Sequence, residues 1–463
     1  MSLLSLLTSV MDTSTVVLFV AVFVLSFWWL LSTRRPPGLP PGPGLRLPIL
    51  GHVHLLNPDL RKTFAEWRKV YGDVFSFYQG RQLVVVFSGY ETIREALVKN
   101  ADCFAVRPKS YWADVCYKNM GISGASGVQN KEQRIISLEI LGKLGMGKNW
   151  LQVHIREEIT DLLKAIESYK GQETDLSNLI HVSFSNNICG ILFGERFAYD
   201  DPMFLAWLKA IEENLYYAFQ IEAMRFLPGL EHIPTDPFRW HKTLEQYKFI
   251  EDTMLKPRIQ AHIEAYNKGD DYTDFIGGYI QEIFRQKEKG IHTDGSPYRK
   301  VRRVIGTDRA PNMNDRPEMT YVEAFIRETL RFWVNAPLVP HGVAYDTKFK
   351  GFFIPQGTLV FPNFESVLHD PAAWGDPENF RPERFIGPDG KLVKPDEFVP
   401  FALGRRECLG KRLAEMELFL YITSLIQRFK FLPPENGQLP PTETDLGIVV
   451  SNRPFKLRAI PRF

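Results

Sequence analysis

One cysteine and its neighbours restrict this chain more than any other feature. Cys408 lies in Phe401-Ala402-Leu403-Gly404-Arg405-Arg406-Glu407-Cys408-Leu409-Gly410, directly ahead of a helix-patterned run over 413–429. A helix N-terminus favours anions, so a lone cysteine placed there suits the role of a thiolate ligand. Gly404 and Gly410 permit a tight turn and the close approach of a flat group that a side chain would obstruct. Arg406 offers a planar fork for a carboxylate, and Phe401 is placed to shield the sulfur. A buried structural cysteine is the plainer reading, but it leaves the glycines and the arginine unexplained. The other cysteines, Cys103, Cys116 and Cys189, show neither CxxC nor Cys/His spacing, which argues against a zinc or iron-sulfur site. Four cysteines in 463 residues also argue against a disulfide framework and for a reducing compartment.

The stretch resembles the haem signature of the cytochrome P450 family, FxxGxRxCxG, at every fixed position. The resemblance implies a mainly helical fold with a minor β-sheet, a heme b cofactor (iron protoporphyrin IX), and Cys408 as both the catalytic thiolate and the iron ligand. Upstream, Glu328-Thr329-Leu330-Arg331 is similar to the family's ExxR motif, and Pro382-Glu383-Arg384-Phe385 looks like its meander. By that resemblance Glu328, Arg331 and Arg384 form a structural network in the haem-binding core. Four other Glu/Arg pairs share the i,i+3 spacing, Glu91/Arg94 among them; position in the chain singles out Glu328/Arg331. Arg107 in Phe104-Ala105-Val106-Arg107-Pro108 and His341 in Pro340-His341-Gly342-Val343 match family contacts to a haem propionate. Arg134 matches the arginine of a WxxxR motif whose tryptophan is here Asn130, which puts that propionate contact in question.

The N-terminus reads as an address. Val16 to Leu31 is an apolar run interrupted by Ser26, and Thr13 to Thr33 approaches the roughly 20 residues that cross a bilayer. A cleaved signal peptide is the competing reading; the Trp28-Trp29 pair and the missing small-residue cleavage site weigh against it. Arg34-Arg35 follow the run, so the positive-inside tendency puts the body in the cytosol; the endoplasmic reticulum is the membrane that the family resemblance implies. The expected division is a signal anchor over 1–35, a Pro/Gly-rich linker over 36–44 acting as a stiff tether, and a haem-binding domain over 45–463.

Along the body, amphipathic stretches at Leu60 to Tyr71, Glu157 to Tyr169 and Ala414 to Phe429 predict helices. Val74 to Tyr78, Gln82 to Phe87 and Gly357 to Phe361 predict strands. Phe219 to Pro234 mixes apolar residues with two prolines; core packing is the favoured reading, a dip into the membrane surface the alternative. A net charge of +2 gives no global field for a nucleic-acid partner.

One part of the family pattern is missing. The family lays a long distal helix over the oxygen side of its haem, carrying an acid and a hydroxyl that relay protons. Here Phe275-Ile276-Gly277-Gly278-Tyr279, similar to the segment before that helix, passes almost directly to Val304-Ile305-Gly306-Thr307-Asp308-Arg309, similar to the segment after it. A splice variant, an incomplete gene model or a lineage-specific deletion is the expected explanation.

The resemblance is closest to animal microsomal members that oxidise steroids, lipids and foreign compounds. It implies a monooxygenase that inserts one atom of O2 into an apolar substrate. No GxGxxG or other flavin or nicotinamide fingerprint appears. Electrons are therefore expected from an NADPH-dependent reductase, with cytochrome b5 as a further partner, docking near Arg405, Lys411 and Arg412. The alternative is a non-catalytic haem-thiolate protein or an inactive variant, because the relay helix is absent.

Overall fold

Apolar spacing and local caps account for the elements that build the site. The computed structural model describes residues 13–32, 35–44, 46–117, 121–144, 149–221, 224, 232–268, 273–279, 298–299, 309–437, 441, 444–446 and 449–462. Phe219 to Pro234 falls largely outside them, as does Gly290 to Arg309.

The chain begins with helix α1 (Thr13–Ser32), whose residues 16 to 27 are all exposed. Among the described residues no helix is long and apolar enough to cross a membrane. Helix α2 (Leu60–Tyr71) starts where the Asp59 side chain accepts the Arg61 amide and stops at Gly72, which turns at φ 85°. It buries Leu60 and Phe64, the latter against Phe75, Phe77 and Phe361.

Those phenylalanines belong to the sheet. Strands β1 (Val74–Gln79) and β2 (Gln82–Phe87) form an antiparallel hairpin, with Val74 opposite Phe87. Helices α3 (Gly127–Lys143), α4 (Asn149–Glu167), α5 (Ser177–Phe193), α6 (Pro202–Ile221), α7 (Trp240–Ile250), α8 (Lys256–Lys268) and α9 (Thr320–Phe332) follow. Strands β3 (His341–Gly342) and β4 (Leu359–Pro362) then complete a four-stranded sheet in the order β1-β2-β4-β3. β4 runs parallel to β2 and antiparallel to β3, with Val360 paired to both Val85 and His341. Helix α10 (Lys411–Arg428) runs directly into β5 (Phe429–Leu432), which pairs with β6 (Arg458–Pro461). The architecture is mainly helical with a minor sheet.

Two cores meet around the site. One packs the sheet's Val85, Phe87 and Val360 against Phe104, Phe349 and Phe385. The other packs Leu151, Ile155 and Ile159 of α4 and Ile326 of α9 on Leu413, Phe419 and Leu420 of α10. The stretch 36–44, expected as a tether, is held on the body: Ser76 N donates to Pro41 O at 2.7 Å, and Phe353 N to Gly38 O at 2.7 Å.

Candidate functional site

Cys408 sits at the end of a loop whose backbone is bent at two points. Ala402 and Gly404 adopt φ of 64° and 69°, and a Cβ on Gly404 would press into the carbonyl oxygen of Leu97. That position therefore needs glycine for packing and conformation alike. A short 3-10 turn over Gly404–Arg406 follows, and the Cys408 amide donates to Phe401 O at 2.9 Å, closing the loop. Gly410 caps α10, and a Cβ there would lie 3.9 Å from the Cys408 sulfur, an ordinary contact, so the protein alone does not demand glycine at 410. Cys408 itself is exposed and unbridged.

Beside this loop three guanidiniums converge. Arg406, buried, donates through Nε to Ala105 O and through Nη2 to Ala125 O, each at 2.7 Å. Arg107 donates through Nη1 to Pro340 O at 2.7 Å and through Nε to Ser123 O at 3.2 Å. From α3, Arg134 reaches the Glu407 carbonyl at 2.8 Å. Every acceptor named here is a backbone carbonyl; among the described residues no carboxylate pairs with any of the three. Burial, then the fields of Arg406 and Arg134, pushes Arg107 down to about 10, and burial with Arg134 does the same to Arg406. Three like charges with no acid among them form a cradle for a ligand that brings its own carboxylates.

His341 completes the cradle from β3. The Gly342 amide bonds Val106 O at 2.8 Å, stitching this strand to the segment that carries Arg107. His341 is 2% exposed and its Nδ1 meets Phe104 O at 2.8 Å, so Nδ1 carries the proton. Burial, with Arg107 and Arg406 nearby, lowers its pKa to about 3 and keeps the ring neutral. Asn130, in the tryptophan's place, is buried on α3 and donates to Ile122 O at 2.7 Å, while Arg134 one turn on still reaches the cysteine loop.

Behind the site, the Glu328 carboxylate takes both arms of the Arg331 guanidinium and Nε of Arg384 at 3.1 Å. Arg331 also donates to Leu368 O and Pro377 O, and Arg384 to Trp374 O, tying α9 to the segment that leads into the cysteine loop. Of the cations expected to meet a partner, Arg405 pairs with Asp102 at 2.5 Å and Lys411 with Glu407 at 2.7 Å.

Sequence reasoning passed over Glu417. It lies on α10 amid the apolar stripe of Leu413, Met416 and Leu420, a pattern that could have exposed it. It is 5% exposed, its Oε1 has no partner, and burial lifts its pKa to about 7. Nearby, Tyr421 Oη meets Ser183 Oγ at 2.7 Å and accepts from Asn187 at 2.9 Å.

Comparison with known proteins adds three findings. The family model described as Cytochrome P450 matches residues 40–294 and 298–459. Cytochrome P450 2H1 of Gallus gallus is 31% identical over 493 positions, covering 97% of this chain and 99% of that protein. Cytochrome P450 2B4 of Oryctolagus cuniculus is 34% identical over 465 positions (92% and 94%), and cytochrome P450 2U1 of Homo sapiens 32% over 498 (93% and 90%). The match to 2H1 runs 493 positions although this chain has 463 residues, so at least 30 positions of that relative face a gap here. The family match itself breaks at 295–297, inside the interval from Tyr279 to Val304 where the expected distal helix could not be found.

Proposed function

The chain belongs to the cytochrome P450 family and is by kind a haem-thiolate monooxygenase; on that footing we propose that it inserts one atom of O2 into a steroid, lipid or foreign compound with electrons from an NADPH-dependent reductase. The observation that carries this reading is the exposed Cys408 beside three guanidiniums that have no acid partner among the described residues. A metal that takes a thiolate, set in a frame with two carboxylates, fits both halves of that donor set, and heme b has this chemistry. In this proposal the Cys408 sulfur ligates the iron, Arg107, Arg134, Arg406 and His341 hold the propionates, and Phe401, Gly404 and Gly410 shape the proximal loop. Haem, when bound, supplies the oxygen chemistry. The residues' work is to fix its orientation and donate charge from sulfur.

Residues 1–35 serve as the membrane anchor in this reading, 36–44 as the linker and 45–463 as the haem-binding domain, with the body on the cytosolic face of the endoplasmic reticulum. The exposed apolar side chains of α1 support the anchor. Cytochrome b5 is a second candidate partner, and Arg412 with the paired Arg405 and Lys411 a docking edge for acidic proteins.

The positions of cytochrome P450 2H1 that face gaps here, together with the sequence's lack of an Ala/Gly-Gly-x-Asp/Glu-Thr run between Phe275 and Arg309, favour a second reading, a haem-thiolate protein that holds its cofactor without sustaining monooxygenation. The absorption spectrum of the reduced protein under CO tests both. A strongly red-shifted Soret band, lost in Cys408→Ala, supports the thiolate site; NADPH- and reductase-dependent product then favours the first reading over the second. A chain that takes up no haem refutes both.

A further inference from the structure

His262, on α8, has an acceptor on each of its ring nitrogens. Nδ1 meets Arg258 O, one turn back, at 2.6 Å, and Nε2 meets Asp274 Oδ2 at 2.7 Å. A backbone carbonyl cannot donate, so Nδ1 carries a proton. Asp274 is already an acceptor: its Oδ1 takes the Gly277 amide at 2.9 Å and its carbonyl the Gly278 amide at 3.0 Å, which starts the helical residues 275–279. The ring therefore satisfies both neighbours only as an imidazolium; a neutral ring turns a lone pair on one of them. The pair is closely fitted. Asp274 is 4% exposed, and Gly194, at φ 70° just beyond α5, lies where a Cβ would stand 3.2 Å from Asp274 Oδ2.

The residues that this pair holds bridge two cores. Phe275 joins the cluster of α4 and α10, and Ile276 joins the one built by Val182 and Phe193 of α5 and Trp207 of α6. From outside α8, Asp274 and Glu195 bring charge to the ring. On α8 itself the Arg258 guanidinium pairs with Glu195 at 2.7 Å and lies over the rings of Phe193, Phe197 and Trp207. Cys189 of α5, which feels both Arg258 and Glu195, is pushed by burial up to about 11 and stays neutral. Burial alone would lower the pKa of His262, but the bonds to Arg258 O and Asp274, with the fields of Asp274 and Glu195, raise it above its ordinary 6.5.

We propose that His262 and Asp274 form a proton-operated latch, which fixes residues 273–279 against both cores while the ring is charged and frees them as it is neutralised. The inference goes beyond the monooxygenase reading and does not depend on it. The fold binds the proton more tightly than the unfolded chain does, so the hold is complete below about 6.5 and is lost as pH rises through the folded value. Residues 275–279 resemble the segment before the family's distal helix, so the latch sets how firmly the chain is held as it enters that interval.

The test follows amide hydrogen exchange by mass spectrometry on the full chain between about pH 6 and 9, corrected for the intrinsic rate at each pH. Helix α10, which carries Glu417 and reports any loosening of the whole fold with pH, is the reference. Protection at 275–279 is expected to fall at least about tenfold further than that of α10 across the range, as a hydrogen bond to a charged group is lost. In His262→Gln, protection there should be low and level at every pH. Should that variant fold poorly, Glu195→Gln keeps both ring bonds and removes one field, and should move the midpoint of the fall to lower pH. Protection that stays level in the parent, or that falls equally in His262→Gln, overturns the latch. So does a midpoint that Glu195→Gln leaves in place, and so does a fall no larger than that of α10, which assigns the change to the whole fold.

Discussion

Glu328 and Arg331, neither with any exposed side-chain surface, form a two-pronged ion pair at 2.8 Å on both arms. Arg384 shares the same carboxylate and also meets the partly exposed Asp376 at 3.2 Å, so Glu328 is the buried acid common to two guanidiniums. Glu328→Gln leaves both cations facing a neutral amide, and removing one partner of a buried pair costs about 3–5 kcal/mol. We expect a fall of that size in unfolding free energy by denaturant titration, with the site's haem spectrum unchanged in whatever fraction stays folded.

Arg406 is expected to behave in the opposite way. Its charge is opposed by Arg107 and Arg134, so Arg406→Leu relieves repulsion while it forfeits hydrogen bonds to Ala105, Ala125 and Ser126. The stability of the haem-free protein should change little. Haem release, followed by transfer to apomyoglobin, should quicken about tenfold to a hundredfold, because a hydrogen bond to a charged group contributes about 1.5–3 kcal/mol. Equal losses in both measurements would make Arg406 a structural residue only.

The contrast between these two sites marks what the sequence could tell. Leu60 to Tyr71 and Gln82 to Phe87 appear as elements with the expected bounds, because the helix repeats apolar residues on one face and the strand is a continuous apolar run buried on both faces. Helix α4 was expected from Glu157 but begins at Asn149; the buried Leu151 and Ile155, four apart, were a usable signal. Helix α10 begins at Lys411, ahead of its first apolar residue, since a first turn needs no core face. The strand expected from Gly357 begins at Leu359, because Gly357 turns at φ 76°. The cysteine loop was legible because its chemistry is local. That Arg107, Arg134 and Arg406 converge without an acid was not, since they come from three segments brought together by tertiary pairing.

Glu417 gives the protein a pH dependence near neutrality. Its carboxyl titrates at about 7 in the fold, above its ordinary value of 4.5, because burial penalises the charged form. The folded state therefore binds more protons than the unfolded one between those values. The stability contribution is fully present below about 4.5 and is lost as pH rises through 7. Glu417→Gln keeps the shape and removes the charge, so it should stabilise the protein by about 2–3 kcal/mol at pH 8 and by almost nothing at pH 4.5. Thermal unfolding of both proteins at the two pH values checks this; a gain independent of pH would mean the glutamate stays charged and paired.

The missing positions make the last prediction. Proton relay to oxygen in this family depends on an acid and a hydroxyl from the distal helix, and no Ala/Gly-Gly-x-Asp/Glu-Thr run stands between Phe275 and Arg309. The proximal side, with Cys408 and the arginine cradle, lies on other segments, so cofactor binding and oxygen use should separate. With reductase and NADPH, we expect the protein to keep its red-shifted CO band yet pass most electrons to hydrogen peroxide, two electrons and two protons per O2, with product below about a tenth of NADPH consumed. Inserting a distal helix that carries the acid and the hydroxyl between Tyr279 and Val304 should raise that fraction several-fold without moving the CO band. If the chain as it stands already couples most of its NADPH to product, the relay is carried by groups outside the interval from Phe275 to Arg309.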